Sequence, residues 1–460
     1  MGSITVPTQG AGQEENWAIG PAVPARRANL SATSRAKYTA GVFLALQMFL
    51  VIYFARPEDW IPGLSTAPLA KIAGVLVLIV LFFSLGHVRG RLPREIFLVA
   101  LLIGQLFLSS AFSPVWRGGA FQVTLDFAKV WIVVLVISVA VSTVGRLKSL
   151  IFTQALCLVA IAAVTIWKGH QVLGRLEGVL GSNYADPNDL ALAIVMSLPL
   201  GLLMLFLSKS WPVKIFWTIA LGTMTYAVLL TGSRGGFLSL VIVATACLWE
   251  FGIRGRRPYL LGFAFVAGLL LWQFAGGMLA SRIMGTLNVD GDSAAAYESS
   301  QARQQLFWRS IEVTEQHPIF GVGPGNFDQV SGQWHTTHNS LTLLSSEGGI
   351  PAFMLYVFIL ASGFMNLRAA KHLTRPRSES RLLAGALFAS LAGYSIGALF
   401  LSTAYAYFPY ILVAYTIALL SIARKSAVKE REREQAQPAT LEWQQRLQAP
   451  ESDIPISQPI

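Results

Sequence analysis

Residues 189–207 read DLALAIVMSLPLGLLMLFL, and after a short polar break the chain resumes at 213–231 with VKIFWTIALGTMTYAVLLT. Each run is close to the ~20 apolar residues that carry a helix across a bilayer. Only Gly232-Ser233-Arg234 then precedes a third apolar run at 235–252. The composition extends this reading to the whole chain. Of 460 residues, 54% are hydrophobic and 13% charged, whereas a soluble domain carries about 25% charged residues. The sequence is that of an integral membrane protein. Its two cysteines, Cys157 and Cys247, lie inside apolar runs, which excludes an exterior disulfide framework and metal-ligand spacing.

Twelve apolar runs are expected to span, at roughly 38–55, 67–86, 94–112, 123–143, 147–167, 189–207, 213–231, 235–252, 259–277, 350–367, 383–401 and 405–423. The net charge of +11 marks orientation rather than nucleic acid. With the amino terminus inside, most of the 35 basic residues fall on cytoplasmic connections or tails, including Arg89, Arg146, Lys209, Arg254, Arg368 and Arg377, as the positive-inside rule requires. Both termini are therefore expected in the cytoplasm. Residues 1–37 read as a disordered basic tail, 38–425 as the membrane domain, and 426–460 as a cytoplasmic carboxy-terminal tail. The first span would serve as an uncleaved insertion signal.

Two exterior connections are long, 168–188 and 278–338. In the second, Leu306, Phe307, Ser310 and Ile311 would share one face of a helix that Ser299 or Ser300 caps. Long ordered loops are usually functional. The segment His335-Thr-Thr-His338-Asn-Ser-Leu, running on to Glu347-Gly-Gly-Ile-Pro351, places His338 and Asn339 at a helix start, breaks at Gly348-Gly349 and resumes near Pro351. A helix start favours an anion and a neutral imidazole.

Few charges remain at the exterior edge. Arg234, in Thr231-Gly-Ser-Arg-Gly-Gly236, sits where glycines allow close backbone approach. A guanidinium there either binds phosphate bidentately or simply snorkels from a tight hairpin. Arg303 lies on the loop helix, with a solvated surface arginine as its plain alternative. Arg175 precedes the polar cluster Ser182-Asn-Tyr-Ala-Asp-Pro-Asn188-Asp189, which lines a cavity or caps a helix through Asn188 and Asp189. His338 reads as a base or as a structural histidine, with His335 as a neighbour. Asp290-Gly-Asp292 reads as a turn before a cation site. Gly321-Val-Gly-Pro-Gly325-Asn326 lacks the ending of a P-loop and reads as a rigid turn.

Taken in order, Ser233-Arg234-Gly-Gly, Arg303 with Trp308, His317-Pro-Ile-Phe-Gly321-Val-Gly-Pro-Gly-Asn326-Phe, His338-Asn-Ser-Leu and Glu347-Gly-Gly form a set. That set resembles the O-antigen ligase and O-antigen polymerase superfamily of bacterial membrane glycosyltransferases, over roughly residues 180–365. The resemblance implies an all-α integral membrane fold of about 12 transmembrane helices, GT-C-like, with a long, partly helical periplasmic loop. It implies a glycan donor on undecaprenyl diphosphate, met at the periplasmic face of the bacterial inner membrane. The acceptor would be a hydroxyl of a glycan, of lipid A–core or of a protein. Carried over by position, Arg234 and Arg303, with Arg175, would hold the diphosphate, and His338 would be the catalytic histidine. Arg56-Pro-Glu-Asp-Trp60-Ile-Pro62 is similar to relatives near exopolysaccharide export systems, so the acceptor stays open.

A sugar diphosphate carries its own leaving group, so the protein must offset growing charge and activate a hydroxyl. Fixed arginines can do the first. A neutral histidine can do the second, typically worth 10²–10⁴-fold. Displacement would invert the anomeric centre, with no cofactor and no metal expected. A repeat-unit polymerase of the same superfamily is the near alternative. A lipid-linked sugar transporter or flippase, or a non-catalytic scaffold of an export complex, are the distant ones. Transporters usually hold polar sites near the midplane, whereas the informative charges here gather at one end.

Overall fold

The computed structural model describes residues 25–61, 63–64, 67–84, 92–172, 175–178, 184–262 and 294–448, with isolated positions between 264 and 273. The chain is an all-α membrane bundle. Its helices are α1 (Ala25–Ala55), the short α2 (Pro57–Trp60), α3 (Leu69–Ser84), α4 (Arg94–Ala111), α5 (Arg117–Ala140) and α6 (Val144–Lys168). After a minimal hairpin of β1 (Gln171–Val172) and β2 (Arg175–Leu176) come α7 (Pro187–Leu207), α8 (Trp211–Thr231) and α9 (Arg234–Cys247). The last of these runs on through a π-helical turn, Leu248–Ile253. Then follow α10 (Ala294–Gln316), the short α11 (Phe327–Val330), α12 (Ser340–Leu373), α13 (Glu379–Gly397) and α14 (Tyr407–Gln448).

Among the described residues, nine helices are long and apolar enough to cross a membrane. In hydrocarbon every backbone group needs an internal partner, which long helices provide. Two further expected spans are present as shorter or less apolar helices, α3 with 16 residues and α13 with 19. The run at 259–277 lies mostly outside the described residues, so the expected count of twelve is not reached among them. Helix α1 begins at Ala25, so the latter part of the segment read as a disordered tail is helical.

Depth in the bundle follows side-chain chemistry. In α7, 78% of the apolar window is buried, against 28% in α8. Helix α7 is thus the central span and α8 a peripheral one. Lipid tails are as apolar as leucine, so close packing rather than water exclusion joins the spans. A Cβ on Gly236 would stand 2.6 Å from the Ala191 Cβ, so glycine is what lets α9 lie against α7. Exposed Trp116 and Trp167 at one end, and Trp211 and Trp249 at the other, mark the two interfaces where amphipathic rings collect.

Alternation of the helices gathers the hairpin, the α8–α9 turn, α10, the segment before α12 and the α13–α14 connection at one end. At this end α12 is interrupted: Gly349 adopts φ 78, ψ 174 within the helix, as the Gly348-Gly349 break anticipates. A Cβ there would meet the Ile319 carbonyl oxygen at 2.2 Å. Carbonyls freed by the break are taken up locally. Gln105 Nε2 donates to the Gly348 oxygen at 2.9 Å and Ser109 Oγ to that of Glu347 at 2.6 Å, and Gln105 also reaches the Ile319 carbonyl of the adjoining segment at 2.7 Å.

Candidate functional site

Arg234 is the first residue of α9, and the Ser233 side chain caps that helix by accepting the Gly236 N–H at 3.1 Å. The cap is itself anchored. Ser233 Oγ donates to Asn188 Oδ1 at 2.7 Å, and the same oxygen accepts from Arg175 Nη2 at 3.1 Å. Arg175 Nε also donates to the Thr231 carbonyl at 3.0 Å. One carboxamide oxygen therefore joins the hairpin, the start of α7 and the turn that presents Arg234. The anticipated cap role of Asn188 and Asp189 is corrected here. Asp186 caps α7, accepting from both of their N–H groups at 2.7 and 3.4 Å, while Pro187 fills the first helical position as proline prefers.

Arg303 projects from α10. That helix begins at Ala294, so Ser299 and Ser300 lie within it rather than at its cap. Its buried face is Leu306, Ser310, Val313 and Thr314, spaced as one helical stripe. Phe307 and Ile311 are half-buried beside it. Thr314 Oγ1 and Ser345 Oγ share a hydrogen bond of 2.9 Å that fixes α10 on α12. Burial first, then the Arg234 and Arg175 cations, lower the Arg303 pKa.

His338 directly precedes the cap of α12. Asn339 is that cap, accepting from the Leu341 and Thr342 N–H groups at 2.9 and 3.2 Å. The His338 backbone is left-handed, with φ 51, a conformation that costs a non-glycine residue about 1 kcal/mol or more. Its surroundings enforce it. Ser340 N donates to the Ala398 carbonyl at 2.7 Å, Ser340 Oγ to that of Leu401 at 2.5 Å, and Thr403 N returns a bond to Ser340 Oγ at 2.9 Å. Thr336 Oγ1 donates to Ser402 Oγ at 2.9 Å. The histidine is held in place by the α13–α14 connection. Burial, then the Arg303 charge, lowers its pKa, while Asp186 acts in the opposite sense. The neutral imidazole is favoured. His335, three residues earlier, is exposed, and its charge is felt by His338 and Asp328.

The glycine-rich segment is a structural turn. Val322 N and Gly323 N donate to the Ser346 and Glu347 carbonyls, both at 2.9 Å. Buried Glu347 closes it, accepting the Phe327 N–H at 3.1 Å and the Tyr405 hydroxyl at 2.8 Å. A cavity of about 1380 Å³ opens beside the cluster. Arg56, Lys71, Asp186, Asp189, Ser402, Thr403 and Tyr405 and the Asp126–Lys129 pair of α5 are its polar lining, and Phe49, Val77, Val133 and Leu192 are apolar lining from α1, α3, α5 and α7.

The structure thus brings Arg175, Arg234, Arg303 and His338 within electrostatic reach of one another or of a shared neighbour, Asp186. Sequence reasoning passed over Asp186, although Asp-Pro at the start of a span is a helix-start signature. The Ser402–Tyr405 connection carried no local signal at all. Asp290 and Asp292 lie outside the described residues, and among those described no three or more His, Cys, Asp or Glu side chains gather as a metal would need.

Residues 219–357 match the family model described as O-antigen ligase, a stretch that includes Arg234, Arg303, His338 and Glu347. No curated protein matches the sequence. A solved structure titled "Structural coordination of polymerization and crosslinking by a peptidoglycan synthase complex" is similar at a TM-score of 0.41 and 16% identity. It covers 72% of this chain and 97% of its own. The matched segment is carried on a multi-span helical bundle, and over residues 219–357 the chain is similar to the O-antigen ligase family.

Proposed function

We propose that this protein moves a glycan from an undecaprenyl-diphosphate carrier to an acceptor hydroxyl at the periplasmic face of the inner membrane. The observation that carries the reading is that Arg303 lies within electrostatic reach of Arg175, Arg234 and His338, each on a different element, beside a cavity lined by both polar and apolar side chains. That lining suits a charged diphosphate head on a long hydrocarbon tail. The basic connections at the other end support placing this end outside.

Arg234 and Arg303 contact the diphosphate, whose charge grows as the bond to the anomeric carbon breaks. Arg175 adds positive charge and steadies the turn beneath Arg234. His338, neutral, accepts the proton of the acceptor hydroxyl as its oxygen bonds to the anomeric carbon from the opposite face. The electron pair of the broken bond leaves with the diphosphate, and the product is inverted. Strained backbone held by surrounding contacts, as at His338, fits a side chain kept in one orientation for chemistry.

The test is glycoside formation by the purified full-length protein, given a lipid-diphosphate glycan and, in turn, lipid A–core, a growing polysaccharide and a polypeptide. An inverted glycoside supports the reading, and the productive acceptor separates ligation from polymerisation. Donor carried across a vesicle membrane with no glycoside formed would instead make the protein a transporter.

A further inference from the structure

We propose that the opposite end of the bundle binds the phosphate of an anionic glycerophospholipid, in a cavity between the ends of α9 and α12 and the start of α13. The cavity measures about 1280 Å³. Arg254, Arg256, Arg257, Arg368, Arg377 and Arg381 line it, and among the described residues Glu250 is its one carboxylate. That carboxylate is already engaged, by Arg254 at 3.1 Å and Lys371 at 2.7 Å. The remaining arginines face the cavity without an acid in its wall to balance them.

Two features show that this excess is built rather than incidental. The Arg257 guanidinium lies 4.5 Å from the centre of the Phe206 ring, and its Nη1 is buried with no acceptor. A buried charged donor left unpaired is costly, and an anionic oxygen in the cavity would satisfy it. Arg256 and Arg377 both hold left-handed backbone, with φ 52 and 65. The π-helical turn closes beside the first of these, with Arg257 N donating to the Gly252 carbonyl at 2.8 Å. Strained non-glycine residues on two separate turns thus line one cavity.

The occupant follows from the rest of the wall. Trp249, Phe251, Phe364 and Phe388 supply an apolar floor under the cationic rim. Exposed Trp249 and Ile253 continue that floor onto the outer surface of the bundle. A soluble anion needs no such floor, whereas a phospholipid places its phosphate among arginines and its acyl chains along the aromatics. Basic pockets between spans on the cytoplasmic side recognise lipid phosphates in this way. The site is remote from His338 and does not rest on its role.

To test it, the full-length protein in neutral detergent is titrated with phosphatidylglycerol, phosphatidylcholine or inorganic phosphate. Its unfolding midpoint is followed, and retained lipid is read by native mass spectrometry. Phosphatidylglycerol should raise the midpoint and be retained, and the other two should do neither. R256Q/R377Q should weaken phosphatidylglycerol binding about fivefold for each arginine removed, while K209Q/K214Q, on a neighbouring turn, should not. Because Arg256 and Arg377 sit in unusual backbone, Arg368→Gln in regular helix is the second variant and carries the same expected loss. An equal response to phosphatidylcholine or to inorganic phosphate overturns the proposal, as does undiminished phosphatidylglycerol binding in Arg368→Gln.

Discussion

The Ser233 hydroxyl donates to the Asn188 side-chain oxygen at 2.7 Å, joining residues on separate helices at the mouth of the candidate site. Since Arg175 uses the same oxygen, Asn188 sets the position of two of the three arginines. Asn188→Ala should leave a charged donor and a buried hydroxyl without their partner, costing about 1–3 kcal/mol of stability. Unfolding in detergent checks this. Donor KM should rise more than kcat falls, because the arginines lose their placement while His338 keeps its own.

The left-handed backbone at His338 gives a prediction independent of chemistry. His338→Gly and His338→Ala should both lose transfer, yet the glycine variant should be the more stable, by about 1 kcal/mol. Equal unfolding midpoints would mean that the φ of 51 stores no strain.

The acid dependence of transfer follows from the lowered pKa of His338. Lowering means that the proton is bound more weakly in the folded protein than in a free imidazole, whose pKa is about 6.5. The rate should hold down to that pH and fall only below it. The same group contributes stability above pH 6.5 that is lost as pH falls through the depressed value. Arg303→Gln removes a cation that opposes protonation, so its acid limb should move upward, toward 6.5. A downward or absent shift in the pH profile would separate Arg303 from His338.

Arg234 leads a helix at the site's edge, and its geometry matters as well as its charge. Arg234→Lys should impair transfer, since an ammonium lacks the two-pronged fork that grips a diphosphate. Full activity of the lysine variant in the same assay would reduce the role to charge alone.

What could be read from the sequence divides along physical lines. Span-length apolar runs announce themselves locally, and so does Arg234, because Gly232 and Ser233 leave no room for a loop. The break in α12 was equally legible, since Gly348-Gly349 before Pro351 does not continue a helix. The start of α10 at Ala294 was not, because the alanines before Ser299 extend a helix without any cap signal. Contacts between distant segments were invisible. Nothing in the sequence ties Ser340 to Leu401, or Glu347 to Tyr405, yet these bonds hold the histidine segment where it stands. Arg175 was legible as a charge and illegible as an anchor, since its partners Thr231 and Asn188 belong to other helices.

The most direct test is single-turnover transfer by His338→Ala, with donor binding measured on the same preparation. Donor affinity should stay close to that of the parent protein, and transfer should fall by at least ~10²-fold, the usual minimum for losing a general base. Undiminished glycoside formation by that variant would contradict the account.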